Sequence, residues 1–322
     1  MSKPIAIIAG EPNSISSEII FKSWKLRKNY THKHLFVIGS YKLLNLQKKK
    51  LNSQIKIKII NNNFKISDLK DSALPVYNIE YNQKRAFEKI SNKSNKYIFK
   101  CFETAIGLFK KKKIFGFINC PISKESLFQK KHQGITEFLA QKSGKKTNGV
   151  MLIYNKKLSV SPITTHIPLV KVSRKINKSK IVHNVKVINN FYKKVFNKKP
   201  KIAILGLNPH NFGSRKSSEE TIIIEAIKKL TKLKIKATGP VAPDSSFMIF
   251  KRYKFDVIVG MYHDQVLTPF KALFNFNSIN VTLGLPFIRI SPDHGVAENI
   301  LGKKIANPTS LIESIKFFNS IK

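Results

Sequence analysis

Short apolar runs alternate with amphipathic stretches along most of the chain, a pattern that predicts strands followed by helices. The apolar run at residues 4–9 predicts a buried strand, and residues 84–113, with apolar side chains at helical spacing and Lys on the other face, predict a helix. Residues 150–154 and 158–164 are expected to form antiparallel strands around a turn. Further strands are predicted at 35–38, 115–119, 202–207, 257–260 and 279–283, and further helices at 16–28, 178–196, 219–230 and from Pro308 onward. The alternation favours an α/β protein with a mostly parallel, doubly wound sheet, whereas residues 42–71 predict no definite element.

The length and composition of the chain indicate a folded protein with a sizeable core. It has 322 residues, of which 42% are hydrophobic, enough to exclude wholesale disorder and to build about two domains or one large α/β unit. No apolar run approaches the ~18 residues that a membrane-spanning helix needs, and Ile5–Ala9 is too short for a signal peptide. The two cysteines, Cys101 and Cys120, cannot form a disulfide framework or a four-thiolate zinc site. A cytoplasmic protein without a membrane partner is expected.

The chain is strongly basic, with 59 Lys or Arg against 18 Asp or Glu and a formal net charge of +41. Only six of the basic residues are Arg, whose planar head is favoured on nucleic-acid surfaces, and Lys is spread over the whole sequence together with abundant Asn and Ile. A codon bias toward AT would produce this composition, and no nucleic-acid-binding motif is present. We interpret the charge as solvated helix faces, with concentration of anionic ligands as the alternative, and expect no nucleic-acid partner.

Three histidines, His166, His210 and His263, stand at or just beyond the C-terminal ends of predicted strands. Because ligand sites of open α/β sheets lie at that edge, three imidazoles from separate strands could converge on one divalent metal and leave positions open for a substrate. Their spacing matches no short metal-binding motif, so convergence depends on the fold. The alternative is that each histidine packs or forms a hydrogen bond near a loop.

A second polar cluster comprises Lys271, Asn280, Arg289 and the run Asp293-His294-Gly295. Lys and Arg near strand ends suit a phosphate or a carboxylate, although one Lys among so many indicates little. Arg289 lies in an apolar setting, where a cation needs an anionic partner. No G-x-G-x-x-G fingerprint follows a strand, and no Walker loop, nucleophile elbow or Cys-His pair is present.

Four stretches occur in an order that is similar to a known family. They are Thr164-Thr165-His166-Ile167-Pro168-Leu169, Gly206-Leu207-Asn208-Pro209-His210, Tyr262-His263-Asp264-Gln265 and Gly284-Leu285-Pro286-Phe287-Ile288-Arg289-Ile290-Ser291-Pro292-Asp293-His294-Gly295. Together with Gly10-Glu11-Pro12 they closely resemble the 4-hydroxythreonine-4-phosphate dehydrogenases of bacterial vitamin B6 synthesis. The resemblance covers nearly the whole chain.

This resemblance implies two α/β/α domains around a cleft, with an isocitrate/isopropylmalate dehydrogenase-like fold, in a homodimer. The first domain, residues 1–130 plus 281–322, is expected to carry the cofactor-adenosine loop, and the second, residues 131–280, the metal ligands and the dimer contacts. The family reaction oxidises the secondary alcohol of 4-phosphooxy-L-threonine with NAD, or with NADP as the alternative. The resulting β-keto acid loses CO2 to give 3-amino-2-oxopropyl phosphate.

The resemblance also implies roles for individual residues. His166, His210 and His263 would hold one divalent metal per subunit, Zn, Mg or Co, at a site shared across the dimer interface. The expected substrate-binding residues are Thr136, Lys271, Asn280 and Arg289, and the expected cofactor-binding residues, in the loop 294–303, are His294, Gly295 and Asn299. Asp244 or Asp264 could accept the proton of the alcohol or orient a ligand histidine, and Lys271 is also a catalytic candidate.

The chain departs from the family pattern in three places. Ile135 stands where the family has a substrate-contacting His, residues 13–17 replace a Gly-rich turn, and the loop 211–215 keeps a single Gly. We expect Ile135→His to strengthen binding of the phosphorylated substrate, unless Ile135 packs into a rearranged loop or contacts an apolar part of another substrate. Two rival interpretations stay open: a paralogous dehydrogenase of another phosphorylated hydroxy acid, and a basic nucleic-acid-binding protein that no longer catalyses.

Overall fold

The computed structural model describes residues 3–70, 72–128, 135–142, 149–209 and 218–321, without the side chains of residues 128, 136, 137, 140 and 218. The chain divides into two compact units. Unit 1 comprises Met1–Gly149 and Leu285–Asn319, and unit 2 comprises Val150–Gly284 and Ser320–Lys322. Each unit combines strands with helices, so the predicted α/β fold class is confirmed. None of the described helices is long and apolar enough to span a membrane.

The described strands of unit 1 form an all-parallel arrangement. They are β1 (Ile5–Ile8), β2 (Leu35–Gly39), β3 (Ile57–Ile60), β4 (Leu74–Asn78), β5 (Gly116–Asn119) and β12 (Ile288–Pro292). Their order is β3-β4-β2-β1-β5-β12, and every neighbouring pair is parallel. All residues of β1, β2 and β5 are buried, as is typical of parallel strands covered on both faces.

The helices of unit 1 bury one apolar face each. They are α1 (Ser16–Leu26), α2 (Tyr41–Lys50), α3 (Asn95–Lys110), α4 (Lys124–Phe128), α5 (Ile135–Lys142) and α11 (Thr309–Asn319), with 3₁₀ turns at Arg27–Asn29, Ile66–Leu69, Asn92–Ser94 and Glu298–Ile300. The side chains of Ile98 and Phe102 on α3 are almost fully buried, which contributes about 1.5–3 kcal/mol each. The stretch 42–71, for which the sequence predicts no element, holds most of α2 and all of β3.

The helix predicted over residues 84–113 is wrong in its first part, because α3 begins only at Asn95. The backbone N–H of Glu88 donates instead to Oδ1 of Asn13 at 2.8 Å, in the turn that follows β1. The Glu88 carboxylate accepts from the backbone N–H groups three and four residues before it, at 3.2 and 3.1 Å. These side-chain contacts offer the backbone an alternative to helical hydrogen bonds.

Unit 2 has one antiparallel strand in an otherwise parallel arrangement. Its described strands are β6 (Val150–Tyr154), β7 (Ser159–Thr164), β8 (Ile202–Leu205), β9 (Ala237–Val241), β10 (Val257–Tyr262) and β11 (Ile279–Leu283), and their order is β11-β6-β7-β10-β8-β9. β6 runs antiparallel to β7 and β11, and the other neighbouring pairs are parallel. The predicted mostly parallel sheet is therefore confirmed.

The helices of unit 2 connect these strands. They are α6 (Val172–Lys175), α7 (Lys178–Phe196), α8 (Ser218–Lys232), α9 (Pro243–Ile249) and α10 (His263–Phe274), with a 3₁₀ turn at Leu169–Lys171. α7 starts where the side chain of Asn177 accepts from the N–H of Lys180, and it ends at Asn197 in a left-handed conformation.

The limits of the two units fall after Gly149 and Gly284, whereas the sequence places the domain limits after residues 130 and 280. The difference concerns residues 281–284, which hold the end of β11 and Gly284 and belong to unit 2, and α5, whose apolar side chains join the core of unit 1. In that core the ring of Phe138 lies 6.2 Å from the ring of Phe102, centroid to centroid. Burial of this apolar face explains why α5 belongs to unit 1.

Candidate active site

His166 and His263 lie next to each other in unit 2, with ring centroids 5.6 Å apart. Their proximity follows from the register of the two parallel strands before them, in which Thr164 of β7 pairs with Tyr262 of β10. The hydroxyl of Thr164 donates a 2.7 Å hydrogen bond to the carbonyl of Met261 and ties the two strand ends together. Both histidines therefore leave their strands at the edge where ligands of α/β proteins bind.

The backbone turns differently at the two histidines. His263 is the first residue of α10, directly after β10. His166 has a φ of +50°, in the left-handed region, where non-glycine residues are uncommon and His is among the enriched types. The left-handed turn at the end of β7 places the imidazole of His166 beside that of His263.

Asp264 contacts its neighbour His263, with Oδ1 3.0 Å from the Nδ1 atom of the ring. A carboxylate at Nδ1 favours the tautomer with the proton on that atom, so the lone pair of Nε2 becomes available to a metal. The side chain of His263 is 33% exposed and that of Asp264 is 79% exposed. Of the two candidate aspartates, Asp264 is therefore the one that contacts a candidate ligand histidine.

Asp244, the other candidate, lies farther along the same edge. It is exposed in the first turn of α9, and its Oδ1 accepts from the N–H of Ser245 at 2.8 Å. The strand before α9 is β9, which β8 separates from β10. At about 4.8 Å per strand spacing, the strand before α9 is roughly 10 Å from β10, which precedes His263.

The third predicted ligand, His210, lies outside the described residues, which stop at Pro209 on this side of the gap. The strand before it is β8, the neighbour of β10. Gln265, which is not among the predicted site residues, joins the two strand ends, since its Nε2 donates to the carbonyl of Gly206 at 2.9 Å and its Oε1 accepts from the N–H of Met261 at 2.7 Å. Within the described part of the chain, no group of three metal-binding side chains is assembled.

The spacing of the histidine pair fits one divalent metal. If a metal lies about 2.1 Å from one nitrogen of each ring, the two ring centroids are roughly 5–6 Å apart. The observed separation of 5.6 Å falls in this range. Neutral imidazoles suit zinc and other transition metals better than magnesium, which prefers oxygen ligands.

Two predicted substrate-binding residues of unit 2 lie away from this histidine pair. Lys271 is exposed on α10, eight residues after His263, which is about 12 Å along the helix axis at ~1.5 Å per residue. Asn280 on β11 pairs with Ile153 of β6, which in turn pairs with Val160 near the start of β7. Asn280 is therefore level with the strand end opposite to the one that carries His166.

Arg289, the predicted substrate-binding residue on β12 of unit 1, is buried. Its Nε donates a short 2.6 Å hydrogen bond to Oδ1 of Asn119, the last residue of β5. Burial lowers the pKa of Arg289 to about 9. A guanidinium held in such a place has a strong preference for an anionic partner.

The three predicted cofactor-binding residues follow β12 in unit 1. His294 is half-buried, with Nδ1 3.4 Å from the carbonyl oxygen of Gly295, and Gly295 and Asn299 are exposed. Asn299 lies in the 3₁₀ turn Glu298–Ile300, which Ala297 precedes with a left-handed φ of +51°. The segment thus presents polar groups on a surface loop.

A family model described as "Pyridoxal phosphate biosynthetic protein PdxA" matches residues 31–318. The chain belongs to the PdxA family. The predicted family is confirmed, and with it the prediction that the chain is an enzyme of the dehydrogenase class.

Several relatives of this PdxA chain match it over nearly their whole length. A 4-hydroxythreonine-4-phosphate dehydrogenase of Sulfurihydrogenibium sp. (strain YO3AOP1) is 41% identical over 97% of this chain and 96% of its own. A protein of Oceanobacillus iheyensis with the provisional name D-threonate 4-phosphate dehydrogenase is 32% identical over 97% of this chain and 96% of its own. The crystal structure of 4-hydroxythreonine-4-phosphate dehydrogenase from Klebsiella pneumoniae superimposes with a TM-score of 0.85, at 28% identity, and covers 100% of both chains.

The departure at Ile135 has a structural reason in this PdxA protein. Ile135 is 5% exposed and belongs to the apolar core cluster of unit 1, together with Phe102 and Phe138. Its burial favours packing over substrate contact. The backbone of Thr136 lies in α5, and its side chain is outside the described part of the structure.

The turn after β1 is closed by side-chain hydrogen bonds where PdxA proteins are expected to have glycines. The hydroxyl of Ser14 donates to the carbonyl of Glu11 at 2.7 Å and lies 2.7 Å from the hydroxyl of Ser16. Neither serine has a positive φ, so the turn does not require glycine at either place. The loop at 211–215, the third departure, lies outside the described residues.

Glu11 is a buried acid in this turn, and in the sequence it stands out only as part of the Gly10-Glu11-Pro12 motif. Its carboxylate accepts from the hydroxyl of Ser94 at 3.2 and 3.3 Å and from the N–H of Asn13 at 3.3 Å. Burial raises the pKa of Glu11 above its ordinary value, the two hydrogen bonds oppose this shift, and the charge of Glu298 adds to it. The turn after β1 therefore holds a carboxylate whose protonated form is favoured by its burial.

Proposed function

We propose that this PdxA protein oxidises 4-phosphooxy-L-threonine with NAD in the cytoplasm, with the aid of one divalent metal per subunit, in vitamin B6 synthesis. The secondary hydroxyl of the substrate loses its proton, and the hydrogen on the same carbon leaves as hydride to the nicotinamide. The β-keto acid formed in this way loses CO2 and takes up a proton to give 3-amino-2-oxopropyl phosphate. The observation that carries the proposal is the histidine pair, 5.6 Å apart, in a chain of this family.

The proposed metal ligands are His166 and His263, with His210 as the third. A bound metal would lower the pKa of the substrate hydroxyl and polarise the ketone. Asp264 contacts the Nδ1 atom of His263, which leaves Nε2 as the nitrogen that would bind the metal. Asp244, in the first turn of α9, is the proposed proton acceptor.

The remaining candidate residues are assigned to binding of the substrate and of the cofactor. Lys271, Asn280, Arg289 and Thr136 are proposed to bind the substrate, and His294, Gly295 and Asn299 the adenosine part of the cofactor. The buried guanidinium of Arg289 supports the first assignment, because it favours an anionic partner. The exposed polar loop after β12 supports the second.

A homodimer with a shared site is part of the proposal. Lys271 and Asn280 lie away from the histidine pair within unit 2. A second subunit could bring its own copies of these residues to the pair. Light scattering should give twice the mass of the 36.7 kDa chain, with activity that falls on dilution, whereas a fully active monomer would contradict the shared site.

The direct test is formation of NADH from 4-phosphooxy-L-threonine by metal-loaded and metal-stripped protein. We expect turnover in the loaded protein, loss of at least ~10²-fold after chelation, and recovery on addition of zinc or cobalt. Full activity of the stripped protein would exclude the metal, and no NADH from either preparation would exclude the reaction.

A second candidate is oxidation of D-threonate 4-phosphate, which carries a hydroxyl where the threonine substrate has an amine. Two observations favour keeping it: the Oceanobacillus iheyensis relative bears that name, and the expected substrate-contacting His is replaced by the buried Ile135. The ratio of kcat/KM for the two phosphorylated compounds, measured with the same metal, separates the candidates. A ratio above ~10 in favour of D-threonate 4-phosphate would replace the first assignment.

A further inference from the structure

An ion pair on α1 forms hydrogen bonds with the backbone directly after the predicted cofactor loop, residues 294–303. The carboxylate oxygen Oε1 of Glu18 accepts from Nζ of Lys22 at 2.7 Å and from the backbone N–H of Ala306 at 2.8 Å. The Lys22 ammonium also donates to the backbone carbonyls of Lys304 and Ala306, at 2.9 and 2.8 Å. The pair and the backbone of residues 304–306 thus form one network of charge-assisted hydrogen bonds.

This pair differs from an ordinary surface salt bridge in its burial. Glu18 is 4% exposed, although the side chain of Lys22 reaches solvent with 35% of its surface. The second carboxylate oxygen of Glu18 is buried without a hydrogen-bond partner among the described residues. Loss of Lys22 would therefore leave a buried carboxylate with little compensation, which is far more damaging than loss of an exposed pair.

The N-terminal part of the predicted cofactor loop is held by the residue directly before α1. The N–H of Ile15 donates to the carbonyl of Val296 at 3.2 Å. Ala297, directly after the first anchor point, and Lys304, at the second, have left-handed φ values of +51° and +64°, a conformation that persists only when its surroundings hold it. Most of the residues between 298 and 305 are exposed, so their own burial contributes little to the loop's shape.

We propose that Glu18 and Lys22 are positioning residues for the cofactor: their ion pair holds residues 296–306 in the shape that binds the adenosine part of the dinucleotide. The inference rests on the proposed function, in which this loop carries the cofactor. A loop already held in its binding shape loses less conformational entropy when the ligand arrives, and its affinity for the ligand is higher. The pair acts on cofactor affinity through the loop and does not touch the phosphorylated substrate.

The test compares the full-length, metal-loaded wild type with Lys22→Met, Lys22→Arg and Glu18→Gln. Glu313→Gln serves as matched control, since Glu313 pairs with Lys316 at 2.8 Å on α11 of the same unit. NADH and NADPH affinities are measured by fluorescence titration, the KM for the phosphorylated substrate by steady-state kinetics, and the order of residues 296–306 by amide hydrogen exchange. An unfolding curve of each variant confirms that it is folded.

For Lys22→Met, which removes all three hydrogen bonds of the Lys22 ammonium, we expect about tenfold weaker dinucleotide binding. Exchange of the amides in 296–306 should be faster, and the KM for the phosphorylated substrate should stay within about twofold. Lys22→Arg should keep most of the affinity, and Glu18→Gln, which retains an acceptor for the Ala306 N–H, should show a smaller loss in the same direction. If Lys22→Met does not fold, dinucleotide affinity and amide exchange are compared between the wild type and Glu18→Gln.

Unchanged dinucleotide affinity in folded Lys22→Met and Glu18→Gln would overturn the proposal, and so would unchanged exchange in 296–306. An equal rise in the KM for the substrate and in the dissociation constant of the dinucleotide would also contradict the proposal. It would show that the pair has only a general structural role. If the wild type binds neither NADH nor NADPH, the proposed cofactor and the cofactor role of the pair both fall. That result is distinct from a wild type that binds dinucleotide as tightly as its variants do.

Discussion

The rings of His166 and His263 lie 5.6 Å apart because the parallel pairing of β7 with β10 sets Thr164 opposite Tyr262. The pair depends on main-chain register, so a substitution of either imidazole should leave the strands in place. The effect of losing either imidazole can therefore be measured in folded protein.

His166→Ala and His263→Ala should each lower kcat/KM by at least ~10²-fold and reduce the metal bound per chain, because each removes one ligand of the proposed metal. His183→Ala, which removes an exposed imidazole from α7, is the control and should keep full activity. Metal content by atomic absorption and NADH formation are the measurements. Retention of metal in both site variants would contradict the assignment of ligands.

Asp264→Ala should weaken metal affinity by about tenfold, the low end of the range for a residue that orients a ligand histidine, because Asp264 is largely exposed. Asp244→Ala should leave metal affinity unchanged and lower kcat, if Asp244 accepts the proton. Titration with a chromophoric chelator gives the affinity, and steady-state kinetics gives kcat. The reverse pattern would exchange the two roles.

Lys271→Ala and Arg289→Ala should both raise the KM for the phosphorylated substrate by about tenfold or more, since a hydrogen bond to a charged group is worth ~1.5–3 kcal/mol. Only Arg289→Ala should also lower the free energy of unfolding, by about 1–3 kcal/mol, because it leaves the buried Asn119 Oδ1 without this donor. Lys186→Ala, at an exposed residue of α7, is the control for general loss of positive charge. A similar loss with the dephosphorylated compound would argue against a phosphate contact.

Glu11→Gln should stabilise unit 1 at neutral pH. Burial raises the pKa of the Glu11 carboxyl, so between the ordinary pKa and the raised one the unfolded chain binds fewer protons than the folded chain, and stability falls as pH rises through that window. Gln carries no charge at any of these pH values, so the variant does not lose stability as the pH rises. Urea unfolding followed through the buried Trp24 should show a higher midpoint than wild type at pH 7.5 and a smaller difference at pH 4. A lower midpoint at pH 7.5 would show that the charged carboxylate is itself stabilising.

Ile135→His should destabilise the protein by about 1–3 kcal/mol, because it places a polar ring in the apolar core of unit 1. The structure therefore favours loss of stability over the tighter substrate binding that the sequence alone suggests. Ile135→Val is the control and should cost about 0.5–1.5 kcal/mol. A lower KM for the phosphorylated substrate at unchanged stability would show instead that the residue faces the substrate.

The local sequence pattern was sufficient to predict the bounds of elements that are defined by their own residues. α7 spans Lys178–Phe196 and β11 spans Ile279–Leu283, as the apolar spacing predicts, because caps and turns at their ends are made by neighbouring residues. The family and its order of motifs were likewise readable, since those stretches are contiguous in the chain.

Contacts between distant segments decided the rest. α3 starts at Asn95 and not at the predicted residue 84, because the backbone N–H of Glu88 donates to Asn13. The sequence places both His166 and His263 after strands, but strand order and register, which periodicity does not contain, decided that their rings meet. Glu18 and Lys22 are visible in the sequence as a helical pair one turn apart, whereas their grip on residues 304–306 exists only because folding brings the end of the chain back to α1.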